Sequence, residues 1–294
     1  MSLTGKTIAI IGGKTGLLGQ ALCRTFSQAG AHPLALSSAD CDILNPKSVE
    51  RILNRKDPDI LINAAAYTQV DQAEDEAEKA FALNATAPPL LAALAAQRSI
   101  PFVHYSTDFV FRGDKTAPYT EYDPTTPFSV YGISKADGER GLLKLGYEHT
   151  LIIRISWLFG PDRMNFVEKI LTLCDTHDSL TVVDDQFGSP SYAPDIASGT
   201  LNLLKKQATG VFHLANSGQT SWHGLASMAA TLADKKCTVT PVPSSDYPTK
   251  AVRPHYSVLD LSKYTRTTGL TPRLWEDALK DYIHNQLHLG TDTV

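Results

Sequence analysis

An α/β fold built on a doubly wound parallel sheet is what this 294-residue sequence predicts, on three observations. Short apolar, β-branched runs alternate with longer stretches of helical periodicity, the order of repeated βαβ units. A glycine-rich turn separates the first such strand from the first such helix. The length suits one large or two closely joined domains, so a second, smaller lobe has room beside the sheet.

Taken in order, "KTIAII" (6–11) reads as a buried first strand. Leu17, Leu18, Ala21, Leu22 and Phe26 then recur at helical spacing, and Gly30 is placed to stop that helix. Further strands are expected at 32–37, 59–65, 101–107, 150–160, 179–185 and 211–216, with helical segments at 71–97 and 131–145 between them. The region 236–271 is richer in Pro, Thr and Ser, and a last helix is expected around "RLWEDALKDYIHNQL". The expected division is a dinucleotide-binding domain over 1–157, completed by about 179–215. Residues 158–178 and 216–294 would then form a smaller α/β substrate-binding lobe over the strand ends, where such sheets bind ligands.

The first turn, "IAIIGGKTGLLG", contains the letters G-K-T of a triphosphate-binding loop, but the spacing rules that loop out. With Lys14 as its lysine, the first glycine would have to stand at position 8, which is Ile8. The glycines that remain, Gly13, Gly16 and Gly19, form a G-x-x-G-x-x-G run between strand and helix. Bare backbone there lets N–H groups approach a pyrophosphate at the positive end of the helix, the Rossmann-type arrangement.

Composition narrows the partners. The net charge is −4 with no long basic run, which disfavours nucleic acid and membrane surfaces. No apolar stretch reaches the ~20 residues of a membrane span, and the N-terminal segment lacks the layout of a signal peptide. Cys23, Cys41, Cys174 and Cys237 are scattered, as expected of reduced thiols in a cytoplasmic protein. Isolated histidines and a solvated acidic run at Asp71–Glu78 predict no metal site.

Chemistry concentrates in two stretches. "YGISK" puts Tyr131 and Lys135 four apart, on one face of a helix. A phenol ionises near pH ~10 and exchanges protons poorly at neutrality; a neighbouring ammonium favours the phenolate. "VHYSTDFVF" places Ser106, Thr107 and Asp108 at a strand end, where a hydroxyl can donate to a carbonyl bound above the sheet. "NAAAYT" (63–68) ends the preceding strand in small residues that a flat cofactor could lie against.

Together with "DILINAAAYTQVDQAE", "FALNATAPPLLA", "RISWLFG", "VVDDQFGSPSYAPDIA", "GVFHLANSGQTSW" and "AVRPHYSVLD", these stretches resemble the dTDP-4-dehydrorhamnose reductase family of the extended short-chain dehydrogenase/reductases. The resemblance implies that Tyr131 is the general acid, Lys135 lowers its pKa and holds the nicotinamide ribose, and Thr107 orients the substrate carbonyl. It implies that Gly13, Gly16, Leu17, Leu18 and Gly19 surround the pyrophosphate, Asp42 and Ile43 lie by the adenosine, and Ala65, Ala66 and Tyr67 line the cofactor. Thr68, Val70, Asp108, Phe109 and Trp157 would face the sugar, and Asn165, Gln186 and Arg253 the nucleotide part of the substrate. The implied reaction is reduction of a C4 ketone on a dTDP-linked 6-deoxyhexose, giving dTDP-L-rhamnose or a close relative.

The strand after the glycine helix ends in Ser37 and Ser38, not in the acidic residue that takes a ribose 2′-hydroxyl, and Lys14 sits in the glycine loop. NADPH is therefore favoured over NADH. Two alternatives stay open. An epimerase or dehydratase would share the fold, although dehydratases follow the threonine with Asp-Glu and here Phe109 follows Asp108. A non-catalytic dinucleotide-binding subunit resembling that of methionine adenosyltransferase would retain the same residues. A homodimer and a monomer both fit the sequence.

Overall fold

The computed structural model describes residues 2–290. Its strands are β1 (Thr7–Ile11), β2 (His32–Leu36), β3 (Ile60–Asn63), β4 (Phe102–Thr107), β5 (Thr150–Ile155), β6 (Leu158–Phe159), β7 (Ser179–Val183), β8 (Phe187–Gly188), β9 (Ser191–Tyr192), β10 (Gly210–His213), β11 (Thr220–Ser221) and β12 (Thr238–Val242). The helices are α1 (Leu17–Gln28), α2 (Pro46–Lys56), α3 (Val70–Ala73), α4 (Ala77–Phe81), α5 (Ala87–Ala96), α6 (Val130–Leu145), α7 (Phe166–Cys174), α8 (Ala193–Lys205), α9 (Trp222–Leu232), α10 (Ser262–Thr268) and α11 (Trp275–Asp281).

The six-stranded central sheet has the order β10-β5-β4-β3-β1-β2, and all its neighbours are parallel. Alternation along each strand sends side chains to both faces. Ile8, Ile10, Ile62, Val103 and Tyr105 pack with α1 and α8 on one side. Ala9, Ile11, Leu61, Phe102 and Ile152 pack with α2, α5 and α6 on the other. The strand order reverses between β1 and β3, so a crevice opens past their C-terminal ends, the place where doubly wound sheets hold ligands.

The lobe is assembled from small pairings: β7 with β12, β8 with β11, and β6 with β9. Its core joins Phe159, Val167 and Leu171 to Leu225, Trp275, Leu279 and Tyr282. One expectation needs correction here. The strand expected at 179–185 does not complete the central sheet; β7 pairs with β12 in the lobe. Within 179–215, α8 covers the sheet and β10 extends it beyond β5. The run "SLTVVDD" has the composition of a buried strand, and composition does not say which sheet takes it.

Buried polar groups hold the frame. Arg154 on β5 makes a fully buried pair with Glu139 on α6, at 2.6 Å. The same guanidinium lies over the Phe111 ring. Among the described residues no helix is long and apolar enough to cross a membrane.

Candidate active site

A cavity of about 1010 Å³ runs from the glycine turn to the lobe. Gly12, Thr15, Gly16, Leu17 and Leu18 line its near end. Gly12 has φ +82°, and a Cβ there would stand 3.1 Å from the Ala64 carbonyl, so the chain must be bare at that point. Gly19 and Gly13 lie behind the lining. A Cβ at Gly19 would overlap the Gly12 carbonyl oxygen, and one at Gly13 would stand 2.8 Å from that of Ile10. They pack the turn, and Gly12, outside the spaced glycine run, is the glycine whose backbone shapes the wall. No side chain caps the N-terminus of α1, which leaves its first-turn N–H groups open to an anion.

Past this turn the wall is made by Ser37, Ser38, Cys41, Asp42 and Ile43 on one side and Ala64, Ala65 and Ala66 on the other. Lys14 is not in the lining: its ammonium donates to Asp40 at 2.8 Å, and Asp40 also accepts from the Ser37 backbone N–H and hydroxyl. The Lys14 bond and then the Ser37 bonds hold the Asp40 carboxyl far below the usual carboxylate range. Tyr67 is also outside it, with its hydroxyl on Glu76 at 2.9 Å and its backbone N–H on Asn84.

The reactive cluster sits at the centre. Tyr131 and Lys135 come from the first turns of α6, whose start is set twice over. The Ser129 hydroxyl caps it by accepting from the Gly132 N–H at 3.1 Å, and Glu74 accepts from the Val130 N–H at 2.9 Å. Both side chains line the cavity with Thr107, Asp108 and Phe109 from the end of β4. Burial pushes the Tyr131 phenol up to about 12, with Thr107's hydrogen bond acting against it and the Asp108 charge adding to it. Burial lowers Lys135 to about 8, and Glu139 offsets part of this. Lys135 donates to the Tyr105 carbonyl at 2.6 Å. Asp108 is pushed up to about 6 by burial, against hydrogen bonds from Ser257 (2.6 Å) and Thr107 (3.0 Å). The Phe109 ring meets Tyr131 edge-on at 5.6 Å.

The far end belongs to the lobe. Thr68, Val70, Trp157 and Arg253 line it, as the sequence reading has them; so do Arg163, Met164, Phe166 and Trp222, which that reading did not assign to the site. Trp222 stacks on Trp157 at 3.6 Å with ring planes 5° apart. Trp157 adopts φ +45°, a left-handed conformation unusual for a bulky residue. Asn165 and Gln186 lie off the cavity. Asn165 caps α7, accepting from the Val167 N–H at 3.0 Å, and donates to Tyr282. Arg253 lines the cavity and also forks onto Asp71 with contacts of 2.6 and 2.9 Å. Part of the acidic run is therefore a latch to the lobe: Asp71 takes Arg253 and Ala251, and Asp75 takes Lys250. Among the described residues no group of His, Cys, Asp and Glu is arranged to hold a metal ion.

The site fits a dinucleotide by its own geometry: a bare, positive-φ glycine in the turn that leads to an uncapped helix N-terminus, small residues on the facing wall, and a phenol and amine deeper in. Comparison with known proteins points the same way. The family model described as RmlD substrate binding domain matches residues 7–288. The spore coat polysaccharide biosynthesis protein SpsK of Bacillus subtilis (strain 168) is 37% identical, over 95% of this chain and 98% of that protein. A dTDP-4-dehydrorhamnose reductase of Aggregatibacter actinomycetemcomitans is 38% identical, over 92% and 97%. The crystal structure of dTDP-4-dehydrorhamnose reductase from Bacillus anthracis strain Ames, in complex with NADP, superposes with a TM-score of 0.92. It is 31% identical and covers 96% of this chain and 100% of that one.

Proposed function

The chain belongs to the dTDP-4-dehydrorhamnose reductase family, and on that premise we propose that it reduces the C4 ketone of dTDP-4-dehydro-6-deoxy-L-mannose to give dTDP-L-rhamnose. It is an NAD(P)H-dependent oxidoreductase of sugar nucleotides. The observation that carries the finer reading is the position of Tyr131 and Lys135 beside Thr107, in one cavity with the bare glycine turn.

The reduced nicotinamide supplies the hydride when bound. Gly12, Gly16 and the N–H groups opening α1 would hold its pyrophosphate, and Ala64, Ala65 and Ala66 would lie along it. Asp42 and Ile43, which line the cavity past the turn, would flank its adenosine end. NADPH is the preferred form in this reading. Ser37 and Ser38, directly after β2, line the cavity where an acidic residue would take a ribose 2′-hydroxyl, and the Asp40 carboxylate beside them is engaged by Lys14 and Ser37.

Tyr131 donates its proton to the oxygen that becomes the product hydroxyl. Its high pKa keeps it protonated at neutral pH; burial governs that value and Lys135 is not among its causes, contrary to the lowering expected from the sequence, so the Lys135 ammonium would act only on the phenolate formed as the proton leaves. Thr107 positions the ketone oxygen against Tyr131. Thr68, Val70, Phe109 and Trp157 wall the sugar, and the Arg253 N–H groups not taken by Asp71 and Ala251 are left for the diphosphate. The test is a screen of keto-sugar nucleotides with the purified chain, following nicotinamide absorbance. Stoichiometric NADPH oxidation with the 4-keto-6-deoxy sugar is expected. A chain that binds NADPH but oxidises none with any of them is not this enzyme.

A further inference from the structure

Behind Lys135 lies a chain of buried polar groups to which the family reading gives no role. Asn63 and His104 are register neighbours on β3 and β4, each within 1% of complete burial. The Ala65 backbone N–H donates to Asn63 Oδ1 at 3.2 Å. That contact fixes which end of the amide is which, so Asn63 Nδ2 is the atom that faces His104 Nδ1, also at 3.2 Å. An amide NH₂ can only donate, and Nδ1 must therefore be an acceptor. The neutral imidazole then carries its proton on Nε2, and Nε2 faces Lys135 Nζ at 3.4 Å. An N–H pointed at an ammonium is donor against donor. An N–H pointed at an amine lone pair is a hydrogen bond.

We propose that Asn63 and His104 are positioning residues that act through Lys135: by locking the imidazole proton on Nε2 they favour the amine form of the lysine. The inference rests on the reading of Tyr131 as proton donor, and it completes that step. The hydride adds to the carbonyl carbon of the keto-sugar from a reduced nicotinamide, and the C–O π bond breaks. The Tyr131 O–H breaks and its proton goes to the new alkoxide. A Lys135 N–H breaks and refills the phenolate. The amine left behind donates to the Tyr105 carbonyl and accepts from His104 Nε2–H, so it stays satisfied until solvent returns a proton. His104 itself stays neutral throughout: burial, then the Lys135 charge, hold its pKa well below the usual histidine range.

Other titratable groups around the pair are accounted for. Glu139 on α6 favours the ammonium, but its carboxylate is engaged by Arg154 of β5 at 2.6 Å. Asp108 faces Tyr131 from the end of β4. The Tyr105 side chain points to the opposite face of the sheet, onto Thr200.

Two spectroscopic measurements on the whole chain test this. In ¹⁵N-histidine-labelled protein, with the resonance assigned by its loss in His104→Gln, His104 should be the Nε2–H tautomer at neutral pH; an Nδ1–H tautomer overturns the proposal. In protein labelled at the lysine ε-carbon, Lys135 should titrate well below the other lysines. Asn63→Asp reverses the arrangement, because the carboxylate accepts from Nδ1–H and turns the Nε2 lone pair toward the lysine. The Lys135 titration should then move up by a full pH unit or more, and the alkaline limb of kcat with it. An unmoved titration in folded Asn63→Asp overturns the proposal, and if that variant does not fold the wild-type tautomer decides alone. Neither resonance needs turnover. The expected tautomer and titration without any keto-sugar reduction would sink the functional reading and leave standing only the hold of Asn63 and His104 on Lys135.

Discussion

The Thr107 hydroxyl donates its one proton to Asp108 at 3.0 Å while accepting from the Phe109 N–H at 3.2 Å. The Thr107 contact with Tyr131 acts to lower the phenol's pKa, the effect of a hydroxyl that donates to a phenolate. Thr107 can turn its proton toward a ketone only if Asp108 releases it, which makes the carboxylate part of how the threonine works.

Asp108 also sets a pH dependence of stability. Its unfolded carboxyl ionises near ~3.9, whereas burial raises the folded one to about 6. Between those values the folded chain keeps a proton the unfolded chain has lost, so stability falls as pH rises through the window and stays lower above it. The loss is on the order of 3 kcal/mol at neutral pH. Asp108→Asn should flatten that fall: its melting temperature relative to wild type should be higher at pH 7 than at pH 4. Parallel melting profiles over the same range would remove Asp108 as the source.

Arg253 and Asp71 join the lobe to the sheet domain through a forked ion pair whose carboxylate is half exposed. Such a pair adds little stability, about 0–1 kcal/mol, so its use is orientation. Arg253→Met should raise the Michaelis constant for the sugar nucleotide roughly tenfold or more with kcat within about threefold, and Arg253→Lys should restore only part because the planar fork is gone. Steady-state kinetics with substrate varied at saturating NADPH will show it. A fall in kcat at unchanged Michaelis constant would place Arg253 elsewhere in the mechanism.

The Trp157–Trp222 stack holds a residue in left-handed backbone at the wall of the sugar end. Such aromatic pairs contribute ~0.5–1.5 kcal/mol beyond burial. Trp222→Leu should cost at least that much by denaturant midpoint and shrink the tryptophan fluorescence change on adding sugar nucleotide. A full-size fluorescence response in the variant would show that Trp157 holds its place without its partner.

Much of the sheet domain was legible because its signals are local. The strand, glycine turn and helix at 6–30 follow from periodicity and from Gly30, and Tyr131 and Lys135 share a face through helical spacing alone. What the sequence concealed is tertiary. Nothing local tells that β7 pairs with β12, or that Asn165 spends its side chain capping α7. Lys14 reads as a phosphate ligand until folding brings Asp40 beside it. Trp222 reads as a core aromatic because its helical pattern is that of a packed face, and only the stack on Trp157 brings it to the cavity. Gly12 stood one place outside the spaced glycine run, although a Gly-Gly pair is itself a turn signal.

The most direct measurement compares NADPH oxidation by the wild-type chain and by Tyr131→Phe, with the 4-keto-6-deoxy sugar nucleotide as substrate and cofactor affinity measured alongside. A loss of ~10²–10⁴ in kcat with NADPH binding retained is the predicted result. Near-equal turnover in the two proteins would contradict the account, because the proton would then come from some other group.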